Sequence, residues 1–223
     1  TSAPDRMSVI LSAGNLAITQ DIINHIQREL DYPDYGEILL SAMYLFEVAD
    51  YISWISLQVQ PKHQQSLQQA GVSGEVTLIV GGQIQGQPHG LLMIYPQGNY
   101  IEASENTPYL QIGETKYGKP VLDRLVHYEL GLNDAARLAL VSLTSTANSN
   151  ITVGPPFELS TYQTNQFTLS GRCRFEYSGQ YLSELETSWK QGLQQAFENL
   201  PRFEWEINPE VEIEPTLNEC KFS

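Results

Sequence analysis

Cysteine is almost missing from this chain: there are two, Cys173 and Cys220, far apart and in no metal-ligand spacing. That argues against a disulfide-stapled scaffold or a cysteine-rich zinc module. Two free thiols in a reducing, cytoplasmic setting is the expectation, with a disulfide as the alternative. Basic residues are scarce too, 12 Lys and Arg against 26 Asp and Glu, for a formal net charge of −14. Phosphate backbones and anionic lipid surfaces demand a basic face, so neither nucleic acid nor a membrane is an expected partner. No apolar run reaches the length of a membrane span, nothing near Thr1 reads as a signal peptide, and no repeat with a period of about 20 to 50 residues is visible.

Recognisable catalytic signatures are also lacking. His25, His63, His89 and His127 are scattered with no His–Cys or His–Glu metal spacing, and no Gly-x-Ser-x-Gly elbow occurs. Gly81, Gly82 and Gly86 lack the spacing of a phosphate-binding loop. Neither a metal nor an organic cofactor is expected.

What is present is enough for one well-buried domain: 223 residues, 41% of them hydrophobic, with 16 Gly and 12 Pro. A strand-like run, Ser8-Val9-Ile10-Leu11, breaks at Ser12-Ala13-Gly14-Asn15 and enters a helix over 16–30. A strand that turns through small residues into a helix leaves backbone N–H groups pointing outward, where they can cradle a negatively charged oxygen. A second helix is expected over 41–59 on the stripe Leu45, Val48, Ile52, Ile55 and Val59, with Pro61 kinking or ending it and Gly71 closing a glutamine-rich continuation. Closely spaced strands follow at 75–80, 91–95 and 99–102, a meander, with a further short strand over 109–112. Helices are expected over 117–126 and from the N-cap Asn133 onward, strands over 157–162 and 167–175 around a Thr164-Asn165 turn, and a last helix over 181–200. Trp54, Trp189 and Trp205, and the stripe Leu182, Leu185, Trp189, Leu193, Ala196 and Leu200, read as packing faces.

The acidic residues Glu204, Glu206, Glu210, Glu212, Glu214 and Glu219 crowd the C-terminal end together with Pro209 and Pro215. Prolines there preclude a regular helix, so the division is one domain over 1–200 and an extended acidic tail over 201–223. Helices that come in pairs between antiparallel meanders exclude a parallel βαβ sheet. The fold class is therefore α+β, and the natural packing is a four-layer α-β-β-α sandwich whose first sheet is short of strands.

Four segments carry a family likeness: Ser12-Ala13-Gly14-Asn15-Leu16-Ala17; Gly81-Gly82-Gln83-Ile84 with Tyr95-Pro96-Gln97-Gly98-Asn99-Tyr100-Ile101-Glu102-Ala103; Leu110-Gln111-Ile112-Gly113-Glu114-Thr115-Lys116-Tyr117-Gly118-Lys119-Pro120; and Ser149-Asn150-Ile151-Thr152-Val153-Gly154-Pro155-Pro156. In order and content they resemble the proteasome-type N-terminal-nucleophile hydrolases, and within them the bacterial Anbu family, the proposed ancestral proteasome β subunit. The resemblance implies a threonine at the mature N-terminus whose hydroxyl attacks a peptide carbonyl while its own α-amine acts as base. It also implies an aspartate and a lysine on the two family strands that come before the strand at Ser8. All three residues fall upstream of this sequence. Thr1 aligns with the loop just before the third family strand and so is not the expected nucleophile; a homologue that has lost its chemistry is the other possibility.

Carried over to this chain, the backbone N–H at Gly14 is the oxyanion donor, although a glycine that merely permits the turn would look the same. Asn15 and Thr19 would face the cleft mouth. Ser149 and Thr152 take the place of the family's aspartate and serine beside the amine, leaving it less electrostatic support; an ordinary polar loop would show the same residues. Gly113 matches a family glycine, which puts Glu114 or Thr115 at the site of a further supporting serine. Lys116 is the remaining candidate, against the plain reading of a surface lysine. The expected function is a subunit of a self-compartmentalising threonine peptidase that takes peptides or unfolded protein and self-associates into a ring or open helical ring. An inert structural subunit and a small-molecule amidase are the alternatives.

Overall fold

The computed structural model describes residues 2–32 and 37–208. Its elements in chain order are β1 (Ser2–Ala3), β2 (Arg6–Gly14), α1 (Leu16–Asp31), α2 (Glu37–Ser41), α3 (Leu45–Gln69), β3 (Val76–Ile84), β4 (Gly90–Ile94), β5 (Tyr100–Glu102), α4 (Lys119–Leu125), α5 (Leu132–Ala147), β6 (Phe157–Tyr162), β7 (Leu169–Phe175), α6 (Gln180–Glu198) and α7 (Glu204–Ile207). The chain divides into two compact units, residues 1–177 and 178–223.

In the first unit, β1 to β5 form one antiparallel sheet in sequence order, so β2 and β3 are neighbours although three helices separate them in the chain. Side chains alternate across a strand. On one face Val76, Leu78 and Val80 of β3, with Leu92 and Ile94 of β4, meet Ile18, Ile22 and Ile26 of α1 and Val48, Ile52, Ile55 and Val59 of α3. Both helices show the three-and-four spacing expected of them, and this cluster is the core. Arg6 fixes the sheet to α2: its Nη1 donates to the carbonyls of Leu39 and Ala42 at 3.2 and 3.1 Å. On the opposite face of β3, the buried Gln83 is fully bonded. Its Oε1 accepts from the Tyr162 hydroxyl and the Asn165 backbone N–H, and its Nε2 donates to the Gln87 carbonyl and to Asn165 Oδ1. That ties the main sheet to the β6–β7 hairpin. The mixed α+β class with antiparallel sheets is thus as expected.

Several elements differ from expectation. Helix α3 continues through Pro61 to Gln69, so the proline does not end it. An interior proline costs about 3 kcal/mol. Contacts on both sides offset it, since Gln60 Nε2 donates to the Pro96 carbonyl and Leu67 packs against the core. Strand β3 extends beyond Val80 through Gly81-Gly82 to Ile84 because it is paired with β4 as far as Gly82 and with β2 as far as Ile84. Residues 109–112 form no strand; no neighbouring strand among the described residues offers them a ladder. Helix α5 starts at Leu132 with Gly131 as its N-cap, so Asn133 lies in the first turn. The helix α2 was not legible in the sequence. Trp54 is exposed, stacked on the buried Tyr51, not part of the core.

Two histidines that look unrelated in sequence meet at one carboxylate. Asp21 on α1 lies 3.2 Å from His25 Nδ1 and 3.3 Å from His63 Nε2 on α3. The hydrogen bond from His63 leads the causes that hold the Asp21 carboxyl below the usual range; burial opposes it, and the charges of His25 and Lys62 add to the lowering.

In the second unit, α6 begins after Gly179, close to where its stripe predicts, and buries Leu182. Leu193 and Phe197 on it and Leu200 just beyond it are exposed, so the C-terminal part of the expected packing face is uncovered in the single chain. Glu204 to Ile207 form one helical turn where an extended arm was expected, with Glu206 accepting from the Phe203 N–H. Residues 209–223, including Cys220 and most of the acidic tail, lie outside the described residues, as does Thr1.

Candidate active site

Gly14 ends β2 at φ +118°, a left-handed conformation that side chains disfavour. A Cβ there would stand 2.1 Å from the Glu75 carbonyl oxygen, so only glycine fits. The next residue, Asn15, caps α1: its Oδ1 accepts from the N–H groups of Ala17 and Ile18 at 3.1 and 3.2 Å. Its own N–H donates to the Glu75 carbonyl, and its carbonyl accepts from both the N–H and the hydroxyl of Thr19. Asn15 and Thr19 are therefore occupied in building the turn. Most of the outward-pointing donors expected of this junction are also taken up.

Gly14 is different. In an antiparallel pair the hydrogen-bonded and non-bonded positions alternate. The bond from Asn15 N to Glu75 O makes the Gly14–Val76 pair a non-bonded one. The Gly14 N–H thus points away from β3, toward the far edge of β2. Along that edge, among the described residues, β1 pairs with Arg6 and Met7, and no strand pairs with the stretch from Val9 to Gly14.

Two loops close on the same end of β2. The 109–118 segment comes in at Gly113, where a Cβ would lie 3.6 Å from the Ala13 Cβ. It is seated on α5 by Gly118, whose Cβ would be 2.3 Å from Ser142 Oγ and 2.8 Å from Thr146 Oγ1. Helix α5 then leads directly into the second loop, where the Ser149 and Asn150 N–H groups donate to the Thr146 carbonyl. One helix therefore positions both loops. They are joined by Glu114, whose Oε1 accepts from the Lys116 backbone N–H and whose Oε2 accepts from Asn150 Nδ2, each at 2.9 Å. Asn150 Oδ1 in turn accepts from Thr152, at 2.9 Å from its N–H and 2.7 Å from its hydroxyl.

Of the four candidates, Gly14 and Thr152 are thus linked to one constellation through Ala13, Gly113, Glu114 and Asn150. Lys116 belongs to it by its backbone, while its side chain is exposed and makes no hydrogen bond or ion pair among the described residues. Ser149 is exposed on the same loop. The link that sequence reasoning missed is Glu114 to Asn150. Its traces were available: Glu114 and Asn150 each accept from the backbone N–H two residues on, a pattern that Asn in particular favours in loops.

Chemically, the end of β2 offers one outward backbone donor, and the loops that reach it through Gly113 carry a carboxylate, an amide and the Thr152 hydroxyl bonded in series. Such a place can hold a developing oxyanion near a group that carries a proton.

No protein-family model matches the chain, and no curated protein does. Solved structures match closely. Anbu (ancestral beta-subunit) from Yersinia bercovieri is 35% identical with a TM-score of 0.83, the match covering 92% of this chain and 84% of that one. An Anbu (Gly-1) mutant from Hyphomicrobium sp. strain MC1 has the same identity and coverage and a TM-score of 0.84. The helical assembly of the Anbu complex from Pseudomonas aeruginosa is 32% identical with a TM-score of 0.77, over 91% of this chain and 82% of that one.

Proposed function

Because the chain belongs to the Anbu family of proteasome-like proteins, we propose that it is a subunit of a self-compartmentalising threonine peptidase. The observation that carries this reading is the end of β2, where the ladder register directs the Gly14 N–H away from β3, beside the Glu114 and Thr152 loops. In the proposal, chain preceding Ser2 supplies two further strands that pair along the edge from Val9 to Gly14 and bring a mature N-terminal threonine to that donor. They would complete the first sheet of a four-layer α-β-β-α sandwich. Residues 1–200 as one domain, 201–223 as an acidic tail and a cytoplasmic location belong to the same reading.

The threonine hydroxyl would attack the scissile carbonyl while its own α-amine, with a pKa of about 7.7–8.0 in free peptides, takes the hydroxyl proton. The carbonyl oxygen becomes an oxyanion held by the Gly14 N–H, a donor worth about 3–4 kcal/mol where such groups have been removed. The amine then gives its proton to the departing peptide nitrogen, and an ester to the threonine remains. Water hydrolyses it, with the amine as base again. Ser149, Thr152 and Lys116 would set the environment of that amine. Substrates would be peptides or unfolded protein, and the Pseudomonas relative's helical assembly supports self-association into a ring or open helical ring, with exposed apolar residues such as Trp54 and Phe197 as contact surface.

A second reading is an inert subunit that assembles without cleaving, favoured by the uncharged Ser149 in place of a carboxylate. Intact mass of the full-length protein before and after a peptidyl β-lactone separates the two. One adduct per chain on an N-terminal threonine supports the peptidase. No adduct, with no threonine at the mature N-terminus, leaves the assembling subunit.

A further inference from the structure

The geometry points to Glu114 as a positioning residue: it fixes the Asn150 amide so that Thr152 presents its hydroxyl oxygen as a hydrogen-bond acceptor to a primary amine. The inference rests on the reading of this site as that of an N-terminal-nucleophile peptidase, whose α-amine would be that donor.

An ionised carboxylate only accepts hydrogen bonds. With Oε1 held by the Lys116 N–H, the Oε2 of Glu114 dictates that Asn150 turns its NH2 group toward it, at 2.9 Å. The other end of the same amide, Oδ1, must then face Thr152, where it takes both the N–H and the hydroxyl. A threonine hydroxyl has one proton, and here it is committed to Asn150. Only lone pairs remain on Oγ1, on a side chain that is exposed next to the loop that reaches Ala13. The bonds all run in one direction from a negative charge, so each polarises the next and makes Thr152 Oγ1 a better acceptor. The set therefore favours a protonated amine over a neutral one.

Few other charges compete. The 148–156 loop and residues 7–20 carry no ionisable side chain. Lys116 and Lys119 lie on the Glu114 segment, the latter engaged by Asp123 and Tyr109, and Glu75 stands opposite the turn at Gly14.

The test uses the full-length protein and the variants Glu114→Ala, Glu114→Asp and Thr152→Val. Labelling of the N-terminal threonine by a peptidyl β-lactone is followed by intact mass across pH. Loss of the acceptor should lower the midpoint of the acidic limb by about half to one pH unit in Glu114→Ala and Thr152→Val, with Glu114→Asp recovering most of the shift. A merely structural role would slow labelling at every pH and leave the midpoint in place, and that result in Glu114→Ala overturns the proposal. If the wild-type protein is not labelled at all, the peptidase reading falls on its own. Crystal structures of wild type and Glu114→Ala then decide what is left: Asn150 Oδ1 turned away from Thr152 in the variant supports the role, and Oδ1 still on Thr152 overturns it.

Discussion

Strands β2 and β3 lie side by side, have the same length and are paired along all nine residues, yet they live in different surroundings. Strand β3 has neighbours on both edges and is buried on both faces: Leu78 and Val80 point into the helical core, Ile79 and Gln83 to the other side. Among the described residues strand β2 has an edge without a partner strand from Val9 on, and Leu11, directly opposite the buried Ile79, is 55% exposed. A long open edge with apolar residues is a liability that proteins ordinarily cover, twist or charge. In the proposed reading that edge is where preceding chain comes in, which would make β3 the scaffold and β2 the working strand.

Glycines give the sharpest way to break that comparison, because each strand carries one that a methyl group would drive into backbone. A Cβ on Gly82 would lie 2.0 Å from the Met7 carbonyl oxygen, and one on Gly14 lies 2.1 Å from that of Glu75. Both alanine variants should lose about 2–4 kcal/mol of stability in denaturant melts, from overpacking and, at Gly14, a strained φ. Only Gly14→Ala should also lower the rate of threonine labelling, by about 100-fold or more relative to protein that remains folded, since the outward donor moves with the turn. An equal loss of labelling in both variants would mean that β2 has no special role.

The same contrast explains what could be read in advance. The helix stripes of α1 and α3 were legible because Ile18, Ile22, Ile52 and Ile55 recur at helical spacing and meet a single partner, the sheet. The Ala13-Gly14-Asn15 turn was legible because only glycine suits it. Whether Pro61 ends α3 stayed open, because contacts made far along the chain by Gln60 and Leu67 decide it against a local penalty. Trp54 and the C-terminal half of the α6 stripe misled for a related reason. Periodicity says that a face is apolar, and not whether this chain covers it. Within the candidate site, Gly14 and the Ser149–Thr152 loop could be proposed from the sequence, but the Glu114–Asn150 bond joins residues 36 apart and has no local signature across that gap.

Core truncations sharpen the comparison at a smaller scale. Leu78→Ala on β3 removes a side chain that is 1% exposed, and it should cost about 2–5 kcal/mol, read from the denaturation midpoint. Leu11→Ala on β2 should cost less than about 0.5 kcal/mol in the chain as described, as surface changes usually do. If Leu11→Ala in the full-length protein approaches the cost of Leu78→Ala, then further chain or another subunit covers β2, as the two preceding strands of the proposed function would.

The weakest expected effect concerns the connection between the two strands. Asp21, between His25 and His63, links the helix that leaves β2 to the helix that leads to β3. Its carboxyl is held below the ordinary value of 3.8, so the folded state binds its proton less readily than the unfolded chain does. The resulting stabilisation is fully present above that value and is lost as pH falls through the lower folded one. Asp21→Asn should therefore cost a constant amount near neutrality, no more than about 1 kcal/mol for a pair this accessible to water. The difference from wild type should shrink toward zero only below the ordinary carboxylate range. Denaturant melts of both proteins from pH 7 down to the acid transition would show it. A larger cost at neutral pH would mean that charge, rather than the burial of Ile22 and Ile55, keeps α1 against α3, and with it the register between the working strand and its scaffold.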